Sequence, residues 1–116
     1  MSKRDMKLFI VDIAESIDAI FEYVADMTLE EFQEDRKTYS AVIREFEIIG
    51  EAVKHLPQEL TKNYPDIAWR DIQDFRNMLI HEYFGVDFDI IWNVIKDDLS
   101  NLKSAIKNIA ILDIEN

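Results

Sequence analysis

The sequence contains no cysteine, and only two glycines and two prolines, in 116 residues. The missing cysteines exclude disulfides, thiolate zinc sites and cysteine nucleophiles, and fit a reducing compartment. So few glycines and prolines leave few places for a tight turn or a positive φ. Sandwiches and barrels, which turn every few residues, are excluded on that ground, as is a glycine-rich phosphate cradle. Long apolar runs are missing too: none approaches the roughly 20 residues that span a bilayer. The opening MSKRDMKLFIVDIAESID carries acids throughout and reads as neither a signal nor a transit peptide, so a soluble, cytoplasmic protein without a membrane partner is expected.

Basic charge is the next scarcity. Against 24 acidic residues stand 13 basic ones, a net charge of −11. Such a surface repels polyanions, whereas nucleic-acid-binding domains are usually basic. Any RNA chemistry must therefore rest on a local site. What the chain has in plenty is apolar surface, 48% of its residues. It is too short for two cores and too hydrophobic to be disordered, so residues 1–116 are read as a single domain.

Helical periodicity organises that apolar content. Phe9, Ile10, Ile13, Ile17, Ile20, Phe21 and Val24 follow three-four spacing and predict a long amphipathic helix from about Asp5 to Met27. Thr28 and Glu31 form a capping-box pattern, with a short helix expected near Leu29 to Phe32. Val42, Phe46, Ile49, Val53 and Leu56 make a seam that predicts a helix from about Lys37 to Leu56, ended by Pro57. Gly50 lies beside this seam. A glycine inside a helix costs about 1 kcal/mol relative to alanine, so close approach of another backbone is its expected use. A third helix is predicted from Ile67 to Tyr83, with Asp66 as N-cap, Trp69, Ile72, Phe75 and Leu79 buried, and Gly85 as a left-handed cap. Asp87 is expected to cap a last helix running to about Leu112. Short connections make the expected architecture all-α, an antiparallel bundle of four to five helices.

Chemistry has few places to sit. Only two histidines exist, His55 and His81. His55 ends the second long helix and reads as a solvated residue favoured by the helix dipole. His81 lies in DFRNMLIHEYFG, which crowds polar groups onto an otherwise apolar helix. Asn77 and His81 are four apart and share a face, so the amide can fix the imidazole tautomer. Arg76 and Tyr83 are seven apart and share a second face. Arg76 and His81, five apart, stand roughly 140° apart around an ideal helix and do not converge by spacing alone. An irregular helix end, or a second copy across a two-fold axis, would bring them together. The plainer alternative is a polar helix edge with Arg76 salt-bridged to one of many acids.

Metal sites find little support. His81-Glu82 opens like a zincin motif, but position 85 is glycine where the second histidine would be. A di-iron bundle needs paired Glu-x-x-His sets, and Glu51 and His55 have the wrong spacing. Asp87, Asp89, Asp97 and Asp98 are better explained as caps and solvated faces. No metal and no cofactor are expected.

Arg76, four residues, His81, one residue and Tyr83 resembles the Arg-x4-His-x-Tyr signature of HEPN-domain ribonucleases. More specifically, the chain resembles the HepT toxins of HepT–MntA toxin–antitoxin pairs. The likeness extends through DIAESIDAIFEYV, AVIREFEIIGEAVKHLP, YPDIAWRDIQDFRNMLIHEYFGVD and IIWNVIKDDLSNLK, nearly the whole length. It implies a HEPN-like bundle that forms a homodimer through the motif helix, with both copies lining one cleft. It also implies a toxin that cleaves RNA without metal by attack of a ribose 2′-hydroxyl. His81 would act as base, since imidazole titrates near neutrality, and Arg76 would stabilise the phosphate transition state. Asn77 would support them, and the general acid stays open, His81 of a second copy being one candidate. The implied partner is an MntA-like minimal nucleotidyltransferase antitoxin that transfers AMP from ATP onto Tyr83. The alternative, favoured by the acidic charge, is a non-catalytic helical partner subunit of that transferase.

Overall fold

The computed structural model describes residues 2–81, 85 and 87–114, the last three by backbone alone. Helix α1 spans Lys3–Tyr23, capped by the Ser2 hydroxyl, which accepts from the Asp5 amide at 3.1 Å. Ile10, Ile13, Ile17 and Ile20 form its buried stripe. The helix stops short of Met27 because Asp26 adopts φ 64, a left-handed conformation that ends the helical path. Asp is one of the few side chains that tolerates this region. The chain then enters α2, Leu29–Glu34, through the expected capping box: Thr28 N–H donates to Glu31 at 3.0 Å, and Glu31 N–H donates to Thr28 at 3.2 Å.

Asp35 accepts from the Thr38 amide at 3.1 Å and starts α3, Arg36–Lys54. Its predicted seam, Val42, Phe46, Ile49 and Val53, is buried. α1 and α3 run antiparallel, since Phe9 meets His55 at one end and Tyr23 meets Glu45 at the other. After Pro57 comes one turn, α4 (Gln58–Thr61), and then α5, Trp69–His81. The start of α5 falls two residues later than expected, and Asp66 is not its N-cap. The amides of Ile67 and Trp69 are spent on a turn, donating to Tyr64 and Ile67, and the first helical bond runs from Ile72 to Ala68.

Helix α5 packs on α3, with Phe46 and Phe75 edge to face at 5.0 Å. It buries less than its pattern predicts. Leu79 is enclosed, whereas Trp69, Ile72 and Phe75 are half-buried. The cause is a groove of about 380 Å³ between the first turns of α5 and the C-terminal helix, lined by Ile72, Phe75, Leu99 and Leu102. The expected left-handed cap at Gly85 turns on Phe84 and Val86, which lie outside the described residues.

Asp87 caps the last segment, accepting from the amides of Asp89 and Ile90 at 2.9 and 3.3 Å. The rod is continuous from α6 (Phe88–Asn93) through a π-helical stretch (Val94–Asp98) to α7 (Leu99–Asn108) and a second π-helical stretch (Ile109–Ile114). The first π stretch has a readable cause. Ile91, Ile95 and Leu99 are all buried, and two successive steps of four overrun the 3.6-residue α-turn. A wider i→i+5 turn takes up the excess and keeps all three facing inward. Phe32 lies fully buried where α2 meets this rod, against Trp92 at 5.3 Å and Phe88 at 6.1 Å. The architecture is all-α, and the described residues contain no strand.

Candidate functional site

Arg76 projects from the middle of α5 onto α3, and Gly50 is the reason it fits. A Cβ built on Gly50 would lie 2.4 Å from Arg76 Cβ and 2.5 Å from its Cγ. The glycine thus accommodates the base of the Arg76 stem and, with it, the close approach of another helix that its position suggested. Beyond that notch the guanidinium meets two acceptors. Nη2 donates to Glu51 Oε2 at 3.1 Å, and Nη1 donates to Asn77 Oδ1 at 3.1 Å. The salt bridge of the plainer sequence reading is therefore present, and its partner is specifically Glu51.

Glu51 is itself held from a third side. Its Oε1 meets His55 Nε2 at 3.2 Å, one turn further along α3. The His55 ring stacks on Phe9 of α1, centroids 4.8 Å apart and planes inclined by 9°. His55 is still partly solvated, as expected, with its side chain 43% exposed. What spacing did not convey is its place in a chain of contacts from α1 through α3 to α5. The hydrogen bond from His55 is the main influence holding the Glu51 carboxyl below its ordinary range, with the charges of Lys54 and Arg76 adding to it.

Arg76 retains capacity for an anion. Its side chain is 28% exposed, and two of five guanidinium N–H bonds are directed at Glu51 and Asn77. Its Nε is buried without a partner, the only such side-chain atom among the described residues. An unmatched buried donor is costly and concentrates at functional sites.

His81 closes α5 and is exposed. It lies about 7.5 Å further along the helix axis than Arg76. No hydrogen bond joins His81 to Asn77 or to Arg76 among the described residues. The Asn77 carbonyl oxygen is turned to the guanidinium instead, because a charged donor gives the stronger hydrogen bond. Tyr83 lies outside the described residues, as do Glu82 and Phe84. Among the described residues no three His, Asp or Glu side chains gather as a metal site. Nor, among the described residues, is any helix long and apolar enough to cross a membrane.

The family model for HepT-like ribonucleases matches residues 13–109, a stretch that takes in Gly50, Glu51, His55, Arg76, Asn77 and His81. The chain belongs to the HepT-like ribonuclease family. Among its curated relatives is a protein of Thermococcus cleftensis named "Probable ribonuclease HepT", 45% identical over 87% of this chain and 92% of that protein. A candidate RNase of Methanocaldococcus jannaschii, MJ0127, is 41% identical over 94% of this chain and 93% of its own length. A bacterial candidate RNase from Caldanaerobacter subterraneus is 37% identical over 87% of this chain and 90% of its own. No solved structure matches the chain. The HepT-like assignment supports an RNA endonuclease and a helical fold of the expected class.

The roles of three residues at this site were not read from the sequence: Gly50 as a notch for Arg76, and Glu51 and His55 as its supports. A signal did exist. Glu51 and His55 are an i, i+4 pair on one helix face, directly beside a mid-helix glycine.

Proposed function

We propose that this HepT-like chain is a metal-independent endoribonuclease toxin of a toxin–antitoxin pair. In this reading His81 removes the proton from a ribose 2′-hydroxyl, and the resulting oxygen attacks the adjacent phosphorus. Arg76 stabilises the extra charge on the phosphate as the 5′-oxygen leaves. Cleavage by 2′-oxygen attack needs no water in its first step, so a base and a fixed cation suffice for the attack itself.

The observation that carries the reading is Arg76 itself. It is a half-buried cation, set in the Gly50 notch and oriented by Glu51 and Asn77, five residues before an exposed histidine in a chain of this family. Because Arg76 faces α3 and His81 faces solvent, the pair is completed in this reading by a second copy. α5 supports that arrangement. Beyond Leu79 its large apolar residues are half-buried, and Ile80 is 39% exposed, as suits a helix with a further partner. The same reading makes Tyr83 the acceptor of AMP from an MntA-like nucleotidyltransferase. A tyrosine-linked nucleotide phosphate close to Arg76 would occupy the anion site and block RNA.

Cleavage of an oligoribonucleotide in excess chelator tests the catalytic half. Wild-type protein should cut it, and Arg76→Ala and His81→Ala should each abolish cutting while remaining helical and folded. Full activity in both variants would contradict the mechanism.

The net charge of −11, with Glu51 partly neutralising Arg76, favours a second reading: a non-catalytic subunit of a nucleotidyltransferase. A wild-type protein that binds the transferase yet cuts no RNA would select it.

A further inference from the structure

We propose that Glu51 and His55 are positioning residues for Arg76, presetting its guanidinium before any anion arrives. The inference rests on the nuclease reading for its effect on rate, and on geometry alone for its effect on Arg76. Phe9 holds the His55 ring face to face at 4.8 Å, His55 holds one oxygen of Glu51 at 3.2 Å, and the other oxygen takes Nη2 of Arg76 at 3.1 Å. With Nη1 on Asn77 and the stem in the Gly50 notch, the guanidinium plane is determined at both ends. A side chain fixed in this way loses no further freedom when it meets a phosphate.

Stability alone does not account for the arrangement. Glu51 is 47% exposed, and ion pairs of such exposure contribute little to folding. A carboxylate beside the cation also lowers the attraction for RNA in a chain that is already strongly acidic. A group with that disadvantage and little stabilising effect is explained by orientation. His55 then fixes the carboxylate: its Nε2–H donates to Glu51 Oε1, and the Phe9 stack sets the ring plane. Neither residue touches the substrate in this account; both act through Arg76.

The test uses the full chain, an unstructured oligoribonucleotide, and NMR of the Arg76 guanidinium. His55→Phe keeps a ring for Phe9 but has no donor. It should lower kcat about five- to tenfold with KM within about twofold, because a misaimed cation weakens the transition state more than the ground state. Glu51→Gln should lower kcat about tenfold or more by the same logic. His55→Gln, which restores a donor without the ring, should recover a large part of the loss. Glu47→Gln, one turn earlier on α3, should match wild type. In parallel, the Arg76 N–H resonances should report an ordered group in wild type and a mobile one in Glu51→Gln and His55→Phe. Unchanged Arg76 order in those two variants would overturn the proposal, as would an unchanged kcat in both. If wild type cuts no RNA, the nuclease reading fails separately, and Arg76 order alone decides this inference.

Discussion

Gly50 and Arg76 occupy one site between them: the space a Cβ would take on α3 is filled by the aliphatic stem of the α5 arginine, at 2.4 Å from its Cβ. Since the conflict is with the base of the side chain rather than its flexible end, the helices themselves would have to separate. Gly50→Ala improves helix propensity by about 1 kcal/mol, but overpacking at such a contact costs about 1–3 kcal/mol. The overlap should win. The variant is expected to lose stability modestly in urea unfolding and to lose RNA cleavage far more severely, because Arg76 is displaced. A stabilised, fully active Gly50→Ala would show that the two helices do not meet this closely.

Acid should act on the same contact through Glu51. Its carboxyl lies below the usual range, first because of the His55 hydrogen bond and then because of Lys54 and Arg76. A carboxyl whose folded pKa is depressed stabilises the fold above its unfolded pKa and loses that contribution as pH falls through the folded value. Glu51→Gln should therefore be slightly less stable than wild type at about pH 7, and the gap should be smaller at about pH 3. Urea unfolding at the two pH values measures this. A gap that stays constant would contradict the assignment.

Asp26 offers a check on the backbone. At φ 64 it sits where β-branched residues are strained. Asp26→Val should destabilise by about 1–2 kcal/mol, whereas Asp26→Gly should not destabilise. Equal stability of both variants would contradict the left-handed turn between α1 and α2.

Phe32 tests the aromatic cluster that joins α2 to the C-terminal rod. The side chain is fully buried against Tyr39, Phe88 and Trp92. Phe32→Ala should cost about 3–5 kcal/mol, measured by urea unfolding. A loss below 1 kcal/mol would mean that α2 is not docked.

The helices were readable because their burial signals are local. The isoleucines of α1, the seam of α3 and the capping box at Thr28 and Glu31 each lie within a few turns and need no partner to be recognised. Boundaries failed where a non-local or conformational choice decided them: Asp26 taking a positive φ, and the turn at Tyr64 using the Ile67 amide. The π stretch was present in the steps of four from Ile91 to Leu99, though a regular helix is the default reading of such a stripe. At the site, spacing pointed to Arg76, Asn77 and His81 but paired them by proximity in sequence. The actual partners of Arg76 include a carboxylate 25 residues earlier, which only the packing of α5 on α3 could bring to it. His55 was undervalued for the same reason, since its stacking partner lies on α1.

The decisive measurement is complementation between two inactive variants. Arg76→Ala and His81→Ala proteins are unfolded together, refolded as a mixture, and assayed for RNA cleavage in chelator. If a second copy completes the site, mixed dimers carry one intact arginine facing one intact histidine, and cleavage absent from either variant alone should return. A mixture that forms dimers but stays inactive would contradict the shared site.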